Sequence, residues 1–222
     1  MTAEAIDAGG RTPIDAGGRT PIDAGGRTPI DAGGRTPIDA GGGSAAASNS
    51  RNPRGQVHVY TGDGKGKTTA AAGLALRALG CGMRVFIGQF IKEKPSGEME
   101  ALGRFGDMVE VMRLGRGFVC GHPDDEHAAA ASAGFQESRR AVLGGRFSMV
   151  VLDEINTAVS LGLVGVNDVL ELIRDKPDSV ELVLTGRGAD EKIIEAADLV
   201  TEMREIKHYF KKGLRARKGI EY

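Results

Sequence analysis

From Gly55 onward the chain alternates between two patterns. Strand candidates stand at Val57–Thr61, which alternates, and at Val85–Gln89, Val109–Arg113, Met149–Asp153, Val180–Thr185 and Leu199–Met203, several of them short, nearly unbroken apolar runs. Between them lie longer stretches with helical spacing of apolar positions, at Lys67–Leu79, Asp124–Leu143, Val166–Arg174 and Asp190–Ala197. A strand covered on both faces reads as a continuous apolar run, which is how strands of a parallel sheet read. Gly80-Cys81-Gly82 stops the first helix with the glycines that a helix C-terminus favours. Pro123, Asp124 and Asp125 open the second, with acids at the positive end of its dipole. Strands alternating with helices over short links predict a doubly wound α/β fold: a mostly parallel, six-stranded sheet with helices on both faces. In such sheets ligands bind at the carboxyl ends of the strands, so the residues after each run are where chemistry is expected.

Ahead of Gly55 neither pattern holds. The octad Ile-Asp-Ala-Gly-Gly-Arg-Thr-Pro begins at Ile6, Ile14, Ile22 and Ile30, and a fifth copy breaks off after Gly42. Each octad sets one large apolar side chain against two glycines and a proline, too little burial to offset the entropy of ordering its backbone. Proline blocks a continuous helix, and short β-helix solenoids need more apolar positions per turn. Residues 1–54 are expected to be a disordered, dispensable repeat and linker, with the folded domain at 55–222.

Composition excludes more than it suggests. The 222 residues carry 29 Lys and Arg against 30 Asp and Glu, so net charge points to neither nucleic acid nor an acidic partner. The balance shifts from Glu202 to Tyr222, where seven Lys or Arg stand against three Glu, suiting an anionic ligand or solvent. Cys81 and Cys120 form no Cys-x-x-Cys, as in a reducing cytosol, where a free Cys is usually a small buried hydrophobe. No apolar run approaches the roughly 18 residues of a membrane span, and the N-terminus lacks the order of a secretory signal. A soluble, cytoplasmic protein is expected, without a membrane partner.

The candidate chemistry centres on Thr61-Gly62-Asp63-Gly64-Lys65-Gly66-Lys67-Thr68-Thr69, at the first strand-to-helix junction. Glycines let a backbone fold around an anion, inward N–H groups bind it, and the helix N-terminus adds partial positive charge. Gly62, Asp63, Gly64, Lys65, Gly66, Lys67, Thr68 and Thr69 are the candidate phosphate and nucleotide contacts. Lys67 would reach the outer phosphates and the Thr68 hydroxyl would ligate Mg²⁺. This makes the expected fold P-loop NTPase-like. The usual pattern places a glycine where this chain has Thr61, and the glycine in this chain comes one position later, at Gly62.

Downstream runs supply companions. Met149-Val150-Val151-Leu152-Asp153-Glu154 is a buried strand ending in two acids. With Thr68, Asp153 and Glu154 are candidate ligands for Mg²⁺ (or Mn²⁺). Arg187, in Thr185-Gly186-Arg187-Gly188, is a candidate partner for phosphate oxygens. Lys92, after Gln89-Phe90-Ile91, is a second candidate anion or substrate contact. His122 and His127 flank acids, but their spacing leaves them off one helical face, and Asp124 and Asp125 suit a helix cap, so no metal site is expected there. His58 and His208 stand alone and are expected to be structural or solvated. There is no Ser or Cys with a recognisable His and acid, no kinase-type catalytic loop, and no aromatic–basic interleaving for nucleic acid. The residues alone define an ATP- or GTP-binding α/β domain with Mg²⁺ and leave the second substrate open.

These motifs, taken together with Lys207-His208 and Gly219-Ile220-Glu221-Tyr222, resemble the ATP:corrinoid adenosyltransferases of cobalamin biosynthesis, in order from about Gly55 to the last residue. The loop form with Thr61 in the glycine place is characteristic of that family. The resemblance implies transfer of the 5′-deoxyadenosyl group of ATP to the Co(I) of a corrinoid, with release of triphosphate. It also implies a homodimer, a flavoprotein electron donor, and ATP seated with reversed polarity in the loop. Lys67, Thr68, Glu154 and Arg187 would then serve a leaving group instead of a transferring phosphoryl. The family commonly carries Gly-Phe-x-Trp before the long helix; this chain has Gly117-Phe118-Val119-Cys120, which keeps Phe118, a candidate corrinoid contact, and puts Cys120 in the Trp place. The rival readings are an ATPase or kinase acting on the γ-phosphate and a nucleotide-sensing regulator with little turnover.

Overall fold

The computed structural model describes residues 54–92, 96–115, 117 and 124–221. The octad repeat, Phe118, Cys120 and His122 lie outside the described residues. The elements run β1 (Val57–Thr61), α1 (Lys67–Gly80), β2 (Val85–Gln89), α2 (Gly97–Leu102), β3 (Val109–Arg113), α3 (Asp125–Leu143), β4 (Met149–Asp153), α4 (Ile155–Ser160), α5 (Val166–Asp175), β5 (Glu181–Thr185), α6 (Glu191–Ala196) and β6 (Leu199–Glu202). The strands form one sheet in the order β3-β2-β4-β5-β1-β6. Every pairing between them is parallel. The α/β expectation holds, and "mostly parallel" sharpens to parallel throughout.

Side-chain parity along the strands sorts the core into two layers, because successive residues of a strand point to opposite faces. Val150 and Leu152 of β4, with Leu182 and Leu184 of β5, pack on Phe135 and Val142 of α3, Val169 and Leu172 of α5, and Ile193 of α6. Met149 and Val151, with Val85, Ile87 and Val183, face the other way, onto α1 and onto Met99 and Leu102 of α2. The buried stripe of α1 is mostly alanine: Ala71, Ala72, Ala75 and Ala78, with Leu79. Small side chains bring that helix close to the sheet, and alanine is the strongest helix former.

Differences from the sequence expectation are confined to ends and short elements. β5 begins at Glu181 and β6 ends at Glu202, each one residue inside the expected run. Asp124 and Asp190 are N-caps instead of first helical residues, and their carboxylates accept from His127 N and Lys192 N. α2 and α4 span six residues each, too short to display a period. Cys81, expected as a buried hydrophobe, is exposed, because it occupies the turn that ends α1. No helix among the described residues is long and apolar enough to cross a membrane.

Leu152 is fully buried at the centre of the sheet. Leu152→Ala should lower stability by about 2–5 kcal/mol, the range for a large-to-small core change. A chemical denaturation midpoint that does not move would refute this packing.

Candidate nucleotide site

The loop after β1 accounts for its own sequence. Thr61 is still strand: it is buried, its carbonyl accepts from Met203 N at 2.8 Å, and it lies in register with Glu202 of β6. A glycine is not required there. The backbone turns one residue later, where Gly62 has φ +92°, and turns again at Gly66 with φ +123°, both in a region that side chains disfavour. The chain leaving β6 closes over the same loop. Gly64 N donates to the Met203 carbonyl at 2.6 Å, and a Cβ on Gly62 would lie 2.5 Å from that oxygen.

Lys67 opens α1 and is buried. Its ammonium folds back onto the loop, donating to the carbonyls of Gly62 at 2.7 Å and Gly64 at 2.9 Å. Burial pushes its pKa below the ordinary lysine range, and the nearby Glu154 carboxylate opposes that shift. A partly desolvated cation beside inward-facing backbone suits a multiply charged anion.

Asp153, at the end of β4, is fully buried and is the focus of the site. Its Oδ1 accepts from Thr68 Oγ1 at 2.8 Å and from Thr185 Oγ1 at 2.7 Å. Its Oδ2 accepts from Gln89 Nε2 at 3.2 Å and faces the Lys92 ammonium, also at 3.2 Å. Parity explains the gathering. Gln89 pairs with Asp153 across β2 and β4, Leu152 pairs with Leu184, and so Gln89, Asp153 and Thr185 end adjacent strands on the α1 face. The next residue, Glu154, is the one non-glycine residue with positive φ among those described, at +63°. Its backbone N donates to Thr185 Oγ1 at 3.0 Å, and its carboxylate accepts from Thr157 Oγ1 at 2.5 Å. Thr157 Oγ1 also accepts from Arg187 N at 3.0 Å.

A cavity of about 860 Å³ opens above these groups. Its lining brings together the loop from Asp63 to Thr69, Lys92, Glu154 and Arg187. Every described residue expected from sequence to contact the nucleotide or leaving group borders it except Gly62 and the buried Asp153. Phe118 lies outside the described residues. Sequence reasoning passed over Gln89, Thr185 and Thr157, although each lies in or just beside one of the motifs. The segment after β6, noted in the sequence for its basic charge and its motifs but given no site residue, forms a wall of the cavity through Glu205, His208, Phe210, Lys211, Gly219, Ile220 and Glu221.

The histidines settle into structural roles where they are described. His127 Nδ1 lies 2.5 Å from Asp124 Oδ1 at the start of α3, and His58 Nε2 lies 2.5 Å from Glu181 Oε1 on the sheet. His208 Nδ1 accepts from Phe210 N at 3.1 Å, capping a single 3₁₀ turn at Tyr209–Lys212. Among the described residues no cluster of three or more His, Cys, Asp or Glu side chains is arranged to hold a metal.

A parallel α/β sheet, a glycine loop leading into a helix, and a strand-end aspartate bonded to the loop threonine define a P-loop nucleotide-binding protein. Comparison with known proteins carries this further. The family model for ATP:corrinoid adenosyltransferase BtuR/CobO/CobP matches residues 53–222. The chain is 40% identical over 177 residues to a corrinoid adenosyltransferase of Pseudomonas aeruginosa, covering 79% of this chain and 87% of that protein. It is 36% identical over 179 residues to the corrinoid adenosyltransferase of Escherichia coli, covering 80% and 91%. The same figures hold for corrinoid adenosyltransferase CobA of Salmonella typhimurium. The chain belongs to the ATP:corrinoid adenosyltransferase family, and is an enzyme of that type.

Thr185 joins Asp153 to the Glu154 backbone, so Thr185→Val leaves a buried acceptor and a donor short of a partner. A loss of about 1–3 kcal/mol is expected, with Thr185→Ser recovering most of it. Equal unfolding midpoints for Thr185→Val and the parent would rule this linkage out.

Proposed function

We propose that this enzyme transfers the 5′-deoxyadenosyl group of ATP to the Co(I) of a corrinoid and releases triphosphate. The observation that carries the proposal is the loop itself, with Thr61 retained as strand, Gly62 making the turn, and Lys67 and Thr68 opening the helix beside Asp153. Co(I) is a strong nucleophile and needs no protein base. It attacks C5′, the C5′–O bond breaks, and its electron pair leaves with the triphosphate. The protein's share is to position C5′ and to stabilise the departing charge. Lys67 and Arg187 are suited to the second task, with the backbone N–H groups of Lys65 to Thr68. Glu154 is suited to orienting the nucleotide, since Thr157 fixes its carboxylate. The cavity lies beside the loop, at the strands' carboxyl ends. With ATP seated in reversed polarity, C5′ would face that space.

Mg²⁺ fits the residues present. The Thr68 hydroxyl and an Asp153 carboxylate oxygen are hard donors 2.8 Å apart beside the phosphate loop, and Mg²⁺ in nucleotide sites takes one or two such ligands and completes its shell with phosphate and water. Thr68 and Asp153 would hold it, with Glu154 nearby, and it would neutralise phosphate oxygens. Lys92 now lies against the same aspartate; it would serve the phosphates or the second substrate once that carboxylate is otherwise engaged. We further infer a cytoplasmic homodimer supplied with electrons by a flavoprotein, and residues 55–222 as the adenosyltransferase domain, with the octad repeat dispensable. Phe118 is assigned to the corrinoid by resemblance, with Cys120 standing where the family commonly has tryptophan. No observation favours transfer or hydrolysis of the γ-phosphate.

With ATP, Mg²⁺ and a chemically reduced corrinoid, the products should be triphosphate and a cobalt–carbon bond seen by absorbance. ADP and phosphate without that bond would overturn the assignment. Lys67→Ala should lower kcat/KM about 100-fold or more, as for loss of one preorganised charge stabiliser; a change under about threefold would mean that Lys67 does not stabilise the leaving group.

A further inference from the structure

The loop has a second lysine, and its ammonium is engaged away from the anion position. Lys65 Nζ donates to the Ile220 carbonyl at 3.0 Å, to Tyr209 Oη at 3.3 Å and to Glu221 Oε1 at 3.3 Å. An ammonium has three donors, so this contact set uses them all. Glu221 is in turn the centre of a small cluster. It accepts from the Tyr209 hydroxyl, from Arg217 N at 2.6 Å, and from the Arg217 guanidinium at 3.3 and 3.4 Å. That guanidinium lies 5.3 Å from the centre of the Tyr209 ring. Hydrogen bonds from Tyr209 and then Arg217 and Lys65 hold the Glu221 carboxyl down at about 2.

The segment carrying this cluster has little else to hold it. Its large apolar side chains are left unburied, Ile206 at 85% exposed and, bordering the cavity, Phe210 at 70% and Ile220 at 58%, whereas the Glu221 side chain is 15% exposed. Polar contacts therefore seat it, with Met203 against Gly64 at one end and Lys65 against Glu221 at the other. Both ends rest on the phosphate loop, and between them the segment walls the cavity. A glycine-rich loop fixed in advance loses less entropy when an anion binds.

We propose that Lys65 is a positioning residue that ties the phosphate loop to the 209–221 segment through Glu221, Tyr209 and Ile220, and so holds loop and cavity wall ready for ATP without itself contacting phosphate. This rests on the reading of ATP as the loop's ligand. It reassigns Lys65 from the nucleotide contacts expected from sequence.

The test compares Lys65→Ala, Glu221→Ala, their double variant, Lys65→Arg and Tyr209→Phe in the full chain, by calorimetric ATP binding without corrinoid and by steady-state kinetics. Each alanine variant should bind ATP about tenfold more weakly, as for loss of one charge-assisted contact. The double variant should be no weaker than the weaker single, because both break one tie. KM for ATP should rise by more than kcat falls, Lys65→Arg should recover part of the affinity, and Tyr209→Phe, which preserves shape, should show a smaller loss of the same kind. Multiplying effects, to about a hundredfold in the double variant, would overturn the proposal. So would Lys65→Ala weakening binding while Glu221→Ala leaves it unchanged or tightens it, which is the result for a lysine that contacts phosphate directly. A parent protein that binds no ATP would remove the functional reading as well, whereas normal ATP binding with an indifferent Glu221 would remove this proposal alone.

Discussion

The site depends on one buried carboxylate. Asp153 is wholly shielded from water, and a charge there is tolerable because donors surround it. Those donors come from four separate places: Thr68 at the start of α1, Thr185 at the end of β5, Gln89 at the end of β2, and Lys92 beyond it. The contacts from Gln89 and Thr185 fix the ends of β2 and β5 against β4, and that from Thr68 fixes the start of α1 to the same point. Thr185 then carries the constraint onward to the Glu154 backbone, which sits in a left-handed conformation that few side chains adopt. The strained residue is thus held between the buried carboxylate and Thr157 at the mouth of the cavity.

The sequence made the centre of the sheet readable because β2, β4 and β5 are nearly unbroken apolar runs, as strands covered on both faces are. It made the loop and Asp153 readable because their chemistry is local: glycines, a lysine and a threonine in succession, and an acid closing an apolar run. α2 and α4 were not readable, since six residues complete fewer than two helical turns. Gln89 and Thr185 were within the motifs but hidden by their neighbours. Lys92 and Arg187 drew notice for their charge, whereas the neutral donors are singled out by strand parity and register. The contacts of Lys65 were beyond reach altogether, because its partners Tyr209 and Glu221 lie 144 and 156 residues away.

Thr61 shows how a departure from a pattern can be resolved by geometry. Where glycine is usual, the backbone has already left the strand; in this chain β6 pairs with β1 as far as Thr61 and Glu202, so the strand persists for that residue. The turn begins at Gly62, and the reason glycine is needed there is partly external. The carbonyl of Met203 occupies the space a Cβ would take at both Gly62 and Gly64. The loop's composition therefore reflects the chain leaving β6 as much as any ligand.

That same chain separates the roles of the two loop lysines. Lys67 turns inward onto the carbonyls of Gly62 and Gly64, where an arriving anion meets a cation whose charge is only partly solvated. Lys65, two residues earlier, turns outward onto Ile220, Tyr209 and Glu221. Had both ammonium groups pointed inward, their mutual repulsion in a poorly solvated loop would have disfavoured the folded loop before any ligand arrived. Pairing Lys65 with the Glu221 carboxylate offsets that repulsion and turns the second charge into an attachment. The loop thus holds one lysine buried against its own carbonyls and ties the other to the cavity wall.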